Sequence, residues 1–227
     1  MQGILLIDKP ADWTSFDAVN YIRKQVAMAE SKKPKAIKVG HTGTLDPFAT
    51  GLLILLIGKA YTRRAGEFSK LDKTYEVTMQ LGASSNTGDP EGQIELINGR
   101  QPDKLEIQKA LGKFVGLIDQ IPPAYSAIKI EGQRAYHLAR TGQQVDLKPR
   151  QVKVNSLKLI SYDYPAVKLI ADVSTGTYIR ALVEDIGKNL GVGAYTRNLR
   201  RIKIGKFKIK ESEKLSPNLI DAVKLIE

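Results

Sequence analysis

The sequence predicts one mixed α/β domain, from three observations. The chain has 227 residues and is 42% apolar, enough for one sizeable core and too apolar for wholesale disorder. Stretches with strand periodicity and stretches with helix periodicity alternate along it, without a separable linker. No period of 20 to 50 residues recurs, so a repeat architecture is excluded. Residues about 122–150 are polar and basic, and we expect them to protrude from the domain as an insert.

The first third predicts a strand, a helix, a loop and a second strand. GILLID at 3–8 is typical of a strand, and Ser15 is expected to cap a helix whose buried face holds Phe16, Val19, Ile22 and Val26. The stretch HTGTLDPFATG at 41–51 has too many Gly, Thr and Pro residues for a helix. It is therefore expected to be a structured loop, followed by a buried strand in LLILLI.

The rest of the chain continues the alternation. Strands are predicted in KTYEVTMQLG, VKVNSLKLISY and AVKLIADVS, and as an edge strand in GKFKIK. Helices are predicted from Pro102 and Asp103 to about Leu111, from Tyr178 to a stop at Gly191, and over the last twelve residues. GASSNTGDPEGQ is expected to be a long turn region.

Composition narrows the possible functions. The chain has no cysteine and only two distant histidines, so disulfides, thiolate chemistry and a cysteine-based zinc site are excluded, and a reducing cytoplasm is expected. Its longest apolar run is too short to cross a bilayer. The formal charge is +11, and YTRNLRRIKIGKFKIK at 195–210 holds seven basic residues and no acid. This clustering favours a nucleic acid as partner over a merely solvated basic surface.

Motifs for nucleotide, metal and acyl-transfer chemistry are missing, which leaves carboxylate, tyrosine and arginine chemistry. Asp46 lies before Pro47 in the glycine-rich loop, where it could cap a turn or act as a nucleophile or base. Arg180, at the start of an apolar helix, could form a surface ion pair or bind an anion such as Asp46 and keep it charged. Tyr75 could be structural or could stack on a base.

These stretches together resemble the TruB family of tRNA pseudouridine synthases. The similar blocks run in the family order over almost the whole chain, and they are DKPADWTS, HTGTLDPFATGLL, DKTYEV, IPPAYSAIKIEGQRAYHLARTG, STGTYIR and GVGAYTRNLRRIKIGKF. The resemblance implies a mixed α/β fold around a bent, mainly antiparallel sheet with a thumb-like insert at about 122–150. It also implies an isomerase that needs neither cofactor nor metal and converts uridine 55 of the tRNA T-loop to pseudouridine.

The resemblance also assigns roles. Asp46 matches the catalytic aspartate, Tyr75 the tyrosine that stacks on the target base, and Arg180 the arginine that pairs with the carboxylate. His41 matches the histidine that enters the T-loop and helps to hold the target nucleotide flipped out. Tyr178 and Leu199 match positions that line the uridine pocket. Basic residues of the insert and tail are expected to contact RNA phosphates: Lys129, Arg134, Arg140, Arg200, Arg201, Lys206 and Lys208.

Bacterial members of that family usually continue into a small RNA-binding domain of the PUA kind, and this sequence stops at Glu227, where it would begin. We therefore expect a catalytic domain alone, a cytoplasmic monomer acting on the tRNA T-arm without guide RNA or membrane. Two other functions stay open at this point. One is a non-catalytic tRNA-binding protein that assists folding. The other is the guide-RNA-dependent relative, which normally has added domains for its partners.

Overall fold

A computed structural model describes residues 1–97, 99–126, 129–130, 133–135, 138, 141, 147–217, 219–222 and 225–226, with backbone only at 129, 130, 134, 221 and 222. It separates into two compact units, Met1–Tyr75 with Leu199–Glu227, and Glu76–Asn198. We call these unit one and unit two. Within the described part of the chain, no helix is long and apolar enough to cross a membrane.

The centre of unit one is the antiparallel pair of strands β1 and β3. Its elements are β1 (Gly3–Lys9), α1 (Ser15–Ala29), a 3₁₀ turn (Pro34–Ala36), β2 (Val39–His41), β3 (Thr50–Ile57), α2 (Lys59–Thr62), α3 (Ala65–Ser69), the start of β4 (Lys73–Leu81), the end of β12 (Ala194–Ile204), β13 (Phe207–Lys208), a 3₁₀ turn (Ile209–Glu211), β14 (Glu213–Lys214) and α6 (Leu219–Ala222). The strand order is β14-β1-β3-β12, with β2 on β3 and β13 on β12. β1 and β2 run antiparallel to β3, whereas β12 runs parallel to it.

Both faces of β1 and β3 are covered, which explains their uninterrupted apolar sequences. On one face, Leu53 and Leu55 pack with the helix α1 residues Val19, Ile22 and Val26. On the other face, the alternate residues of β3 pack in a second cluster, which includes Phe68 and Phe207. The predicted strand in LLILLI is thus confirmed.

Helix α1 differs from the prediction at its start. Its N-cap is Thr14, one residue before Ser15, because Thr14 and Asp17 form a reciprocal capping box. Phe16 was expected to be buried but is 58% exposed, because the buried side of α1 runs through Ser15, Ile22 and Val26, and Phe16 lies about 100° around the helix from Ser15.

Unit two contains the remaining elements: β5 (Ala83–Ser85), β6 (Ile94–Leu96), α4 (Lys104–Lys113), β7 (Gly116–Gln120), β8 (Lys129–Ile130), β9 (Gln133–Arg134), β10 (Arg150–Asp163), β11 (Ala166–Val173) and α5 (Ile179–Leu190), with the later part of β4 and the earlier part of β12. Its strands follow the order β4-β11-β10-β7, and β10 is antiparallel to both β11 and β7. β5–β6 and β8–β9 form separate two-stranded hairpins.

The sequence predicted most helix boundaries of unit two correctly. Asp103 caps α4 through a second capping box with Glu106. Helix α5 ends at Gly191, whose φ of 72° is left-handed, as a glycine C-cap requires. The predicted fold class, mixed α/β with a mainly antiparallel sheet, is confirmed.

Two predictions near the C-terminus were wrong in extent. The basic stretch GKFKIK forms only the two-residue strand β13, and a 3₁₀ turn at Ile209–Glu211 replaces the rest. The last helix is described over Leu219–Ala222, and it does not reach the last residues, because Ile226 forms a β-bridge with Ile4. Strand β12, which begins in the basic segment, was not predicted because its charged residues mask its apolar alternation.

Candidate active site

The loop between β2 and β3 holds Asp46 in a tight turn. The amide of Ala49 donates to the carbonyl of Asp46 at 3.1 Å, and Pro47 occupies the second position of this turn, which its fixed φ favours. The Asp46 residue is half-buried, unlike its buried neighbour Leu45. Asp46 is therefore partly exposed to solvent, and a hydrogen bond fixes the turn of its backbone.

The residue before Asp46 is anchored by Ser15, at the start of α1. The Ser15 Oγ accepts a hydrogen bond from the Leu45 amide at 2.8 Å and donates to the Leu45 carbonyl at 3.1 Å. Ser15 was expected to cap α1, and instead it satisfies both backbone groups of Leu45. Since Leu45 is buried, these bonds stabilise the loop where water cannot replace them.

The residue after Asp46 is anchored by Lys9, at the end of β1. The side chain of Lys9 is fully buried, and its Nζ donates to the carbonyls of Pro10 at 2.8 Å, Trp13 at 2.6 Å and Pro47 at 3.2 Å. The Asp12 amide also donates to the Pro47 carbonyl, at 3.0 Å. The N-terminal motif thus holds the loop on both sides of Asp46.

A third anchor is Arg201, which was predicted to contact RNA. It is only 1% exposed. Its Nε donates to the Leu52 carbonyl at 2.8 Å, its Nη2 to the Gly43 carbonyl at 3.1 Å, and its Nη1 lies 3.5 Å from the Thr44 carbonyl. A guanidinium enclosed in this way has no surface for an RNA phosphate. The structure therefore corrects the role of Arg201, from RNA contact to support of the Asp46 loop.

Strands β3 and β12 approach each other very closely beside this anchor. Gly51 pairs with Arg201 and has a φ of +107°, and a Cβ added to it would lie 2.3 Å from the Arg201 carbonyl oxygen. Only glycine fits both the backbone conformation and the space. This explains the second glycine of the loop motif, for which the sequence offered only a general preference for tight geometry.

The buried charges of unit one are all positive. They belong to Lys9, Lys73 and Arg201, and none of the acidic residues whose side chains are described in this unit is buried. The pKa of Lys73 is lowered to about 8, chiefly by burial and also by the Arg201 charge, while the Asp72 charge acts in the opposite direction. Lys73 Nζ donates to the carbonyls of Ser69 and Leu71.

The other predicted residues of unit one lie on strands. Tyr75 follows Lys73 on the buried face of β4 and is 8% exposed, and Leu199 on β12 is 7% exposed. His41 ends β2, opposite Leu55, and is half-buried. Arg200, predicted to contact RNA, makes a two-pronged ion pair with Asp8 at 3.0 and 2.6 Å, which leaves its side chain 37% exposed.

In unit two, the site residues lie at the start of α5. The Tyr178 amide donates to Oε1 of Gln120 at 2.8 Å, and Nε2 of Gln120 donates back to the Tyr178 carbonyl at 3.0 Å. Arg180 is 5% exposed and donates to the carbonyls of Thr87 at 2.7 Å and Tyr125 at 2.9 Å.

Arg180 also makes an ion pair that the sequence did not reveal. Its Nη1 lies 3.2 Å from Oδ2 of Asp89, and both side chains are 5% exposed. Asp89 Oδ1 accepts from the Thr87 hydroxyl at 2.6 Å and the Glu91 amide at 3.1 Å. Arg180 is therefore a buried and oriented side chain, not a member of a surface pair. Asp89 had no distinguishing signal, because acids are common in turns such as NTGDPEG.

Of the predicted site residues, unit one contains His41, Asp46, Tyr75 and Leu199, and unit two contains Tyr178 and Arg180. The contact of Asp46 with Arg180 stays a prediction. Lys129 and Arg134 are paired across the β8–β9 hairpin, and Arg140 lies outside the described residues. Lys206 and Lys208 are exposed, with Lys206 Nζ 5.5 Å from the centre of the Phe207 ring.

Comparison with known proteins connects these residues to one family. Residues 30–179 match the model of the TruB family pseudouridylate synthase N-terminal domain, and residues 180–224 match the model of the tRNA pseudouridylate synthase B C-terminal domain. The chain is 44% identical to tRNA pseudouridine synthase B of Parabacteroides distasonis, over 96% of this chain and 91% of the relative. It is 45% identical to the protein of that name from Aquifex aeolicus, over 95% of this chain and 72% of the relative.

A solved structure has a similar fold. The structure entitled "Crystal Structure of a Cbf5-Nop10-Gar1 Complex" contains a chain that is 30% identical, with a TM-score of 0.70. The match covers 94% of this chain and 52% of the other. The loop anchored around Asp46, the fold and these relatives agree, and the chain belongs to the TruB family of pseudouridylate synthases, isomerases that modify tRNA.

Proposed function

We propose that this enzyme converts uridine 55 in the T-loop of tRNA to pseudouridine, with Asp46 as the catalytic carboxylate. The observation that supports this most directly is the construction of the Asp46 loop. Ser15, Lys9 and Arg201 fix the backbone around Asp46, a half-buried residue, which is how a pre-organised catalytic group is held. A carboxylate that merely closed a turn would not need three buried anchors from distant segments.

The chemistry requires only groups that the chain supplies. The N1–C1′ bond of the uridine breaks, the uracil turns, and a C5–C1′ bond forms. The proton on C5 leaves and N1 regains one, so atoms and electrons balance without a redox partner or ATP. Asp46 acts either by attack on the ribose or uracil or by removing a ribose proton. Tyr75, on the buried face of β4, takes the C5 proton, and Arg180 pairs with Asp46 to keep it charged.

The target nucleotide must leave its stack before reaction, which costs a few kcal/mol. His41 at the end of β2 enters the vacated position, and Tyr178 and Leu199 line the uridine pocket. Phosphate contacts from the insert and tail offset the cost, with Lys129, Arg134, Arg140, Lys206 and Lys208 as contributors. Arg200 remains a weaker candidate because Asp8 already neutralises it.

The test uses an unmodified T-arm hairpin, incubated with the protein alone and assayed for pseudouridine. We expect the native protein to form product, and Asp46→Asn to bind the hairpin within about threefold of the native affinity without forming product. Asp12→Asn, which removes an exposed carboxylate in the same unit, is the control and should remain active. Product formation by clean Asp46→Asn protein would remove Asp46 from the reaction, whatever the substrate.

The structural likeness to a chain in the structure entitled "Structure of H/ACA RNP bound to a substrate RNA containing 2'-deoxyuridine", with 27% identity and a TM-score of 0.67, raises a second candidate, action within a ribonucleoprotein. We propose the stand-alone mode, as a cytoplasmic monomer whose residues 1–227 form the catalytic domain. The stand-alone mode is favoured because the 44% identical relative, matched over 91% of its length, is named tRNA pseudouridine synthase B. Product formed from the hairpin without added RNA or protein supports this mode, and no product until such components are added would refute it.

A further inference from the structure

A basic cleft lies on unit one beside the β2 strand. It has a volume of about 290 Å³, and four of its lining residues are cations: Arg23, Lys24, Lys35 and Lys38. The other four are Asn20, Pro34, Ile37 and Val39, so no lining residue is acidic. Lys24, Lys35 and Lys38 are exposed. The nearby Lys32 does not line the cleft, and its Nζ lies 2.8 Å from a carboxylate oxygen of Glu30.

The cleft is pre-formed. The guanidinium of Arg23 donates through Nη1 to Oδ1 of Asn20 at 2.6 Å and through Nη2 to the Val39 carbonyl at 3.3 Å. The opposite wall is shaped by the 3₁₀ turn Pro34–Ala36, closed by the Ile37 amide on the Pro34 carbonyl. Arg23 is thus held in place, and it loses less conformational entropy on binding an anion than the exposed lysines beside it do.

Its position relates it to the proposed substrate. Lys38 directly precedes β2, and His41 ends that strand. At about 3.3 Å per residue, the two residues are roughly 10 Å apart. An RNA strand that passes His41 would therefore bring neighbouring phosphates within reach of Lys38.

We propose that this cleft binds the sugar-phosphate backbone of the substrate RNA, a few nucleotides from the loop that His41 enters. The proposal rests on the proposed function of the same protein. We assign RNA as the ligand because four cations line the cleft and β2, the strand that ends at His41, lies beside it. Four cations complement a run of phosphates better than they complement a single anion. The contact is sequence-independent and contributes affinity rather than chemistry.

The experiment measures binding of a labelled T-arm hairpin by Lys35→Gln/Lys38→Gln protein at several salt concentrations. Loss of two phosphate contacts should weaken binding by about 25- to 60-fold at 0.1 M salt and reduce the slope of log K against log salt by about 1.4–1.8. Turnover at saturating RNA should change less than about twofold. The Lys35→Arg/Lys38→Arg protein should bind like the native one.

Lys104→Gln/Lys109→Gln removes the same charge from exposed positions of α4 and serves as the matched control. An unchanged slope in the Lys35/Lys38 variant would overturn the proposal, and so would an equal loss in the control, which would reflect net charge alone. The binding readout does not depend on catalysis. A protein that binds through the cleft but makes no pseudouridine would refute the proposed function and leave the cleft assigned.

Discussion

Replacing Arg201 by methionine separates the two roles considered for this residue. Methionine has a similar reach but removes the charge and all five N–H donors. The bonds to Leu52 at 2.8 Å and Gly43 at 3.1 Å are lost, and the 3.5 Å approach to Thr44 is too long to add much. Each lost bond from a charged donor contributes about 1.5 kcal/mol, so we expect the free energy of unfolding to fall by roughly 2–4 kcal/mol.

The same substitution should slow catalysis without altering the RNA footprint. With Gly43 and Leu52 released, the Asp46 loop loses its attachment to β12, and we expect turnover at saturating hairpin to fall by at least about tenfold, since small misplacements of catalytic groups are costly. Affinity should change by less than about threefold, and the salt slope should not change. Arg201→Lys should recover part of the stability, since an ammonium reaches one carbonyl but not both.

The assays are denaturant unfolding, single-turnover kinetics and hairpin binding across a salt series. A reduced salt slope of about 0.7–0.9 with normal turnover would show that Arg201 contacts phosphate, and would refute the structural role derived from its burial. Arg197→Met provides a matched control, because this arginine is exposed on the same strand and makes only a 3.3 Å bond to Gln80.

Two further predictions concern buried charges. The lowered pKa of Lys73, about 8, means that between pH 8 and 10.5 the unfolded chain binds a proton that the native protein has lost. The free energy of unfolding should therefore rise with pH over this window, by at most about 3 kcal/mol, and Lys73→Met should show a flatter pH dependence in denaturant titrations. An equally steep rise in Lys73→Met would assign the effect elsewhere. Asp89→Asn should cost about 3 kcal/mol in the same assay, because Arg180 loses its buried partner. The exposed pair Arg64–Glu67 is the comparison, and Glu67→Gln should cost less than about 1 kcal/mol.

Motif positions and element types could be predicted from the sequence where local chemistry decides them. The uninterrupted apolar run of β1, the capping acid Asp103 and the terminal Gly191 are signals contained within a few residues. The loop around Asp46 was located for the same reason. What failed were assignments that depend on distant partners.

Arg200 and Arg201 show this difference most clearly. They are adjacent in a basic segment, and composition treats them alike. One pairs with Asp8 at the edge of β1, and the other is enclosed by backbone carbonyls from residues about 150 positions earlier. Neighbouring side chains on a strand point to opposite faces, so only the pairing of β12 with β3 decides which arginine is buried. Ser15 and Asp89 were missed for the same reason, since each acts on a partner in another segment.

The support of the Asp46 loop by Arg201 has a consequence for biosynthesis. A ribosome synthesises residues 41–52 long before residue 201. The nascent chain therefore contains the Asp46 loop before Arg201, one of the three side chains that anchor this loop, has been added. Contacts over so long a sequence separation form late, because closing a large loop is entropically unfavourable. We expect competence for RNA modification to be acquired only after β12 has paired with β3.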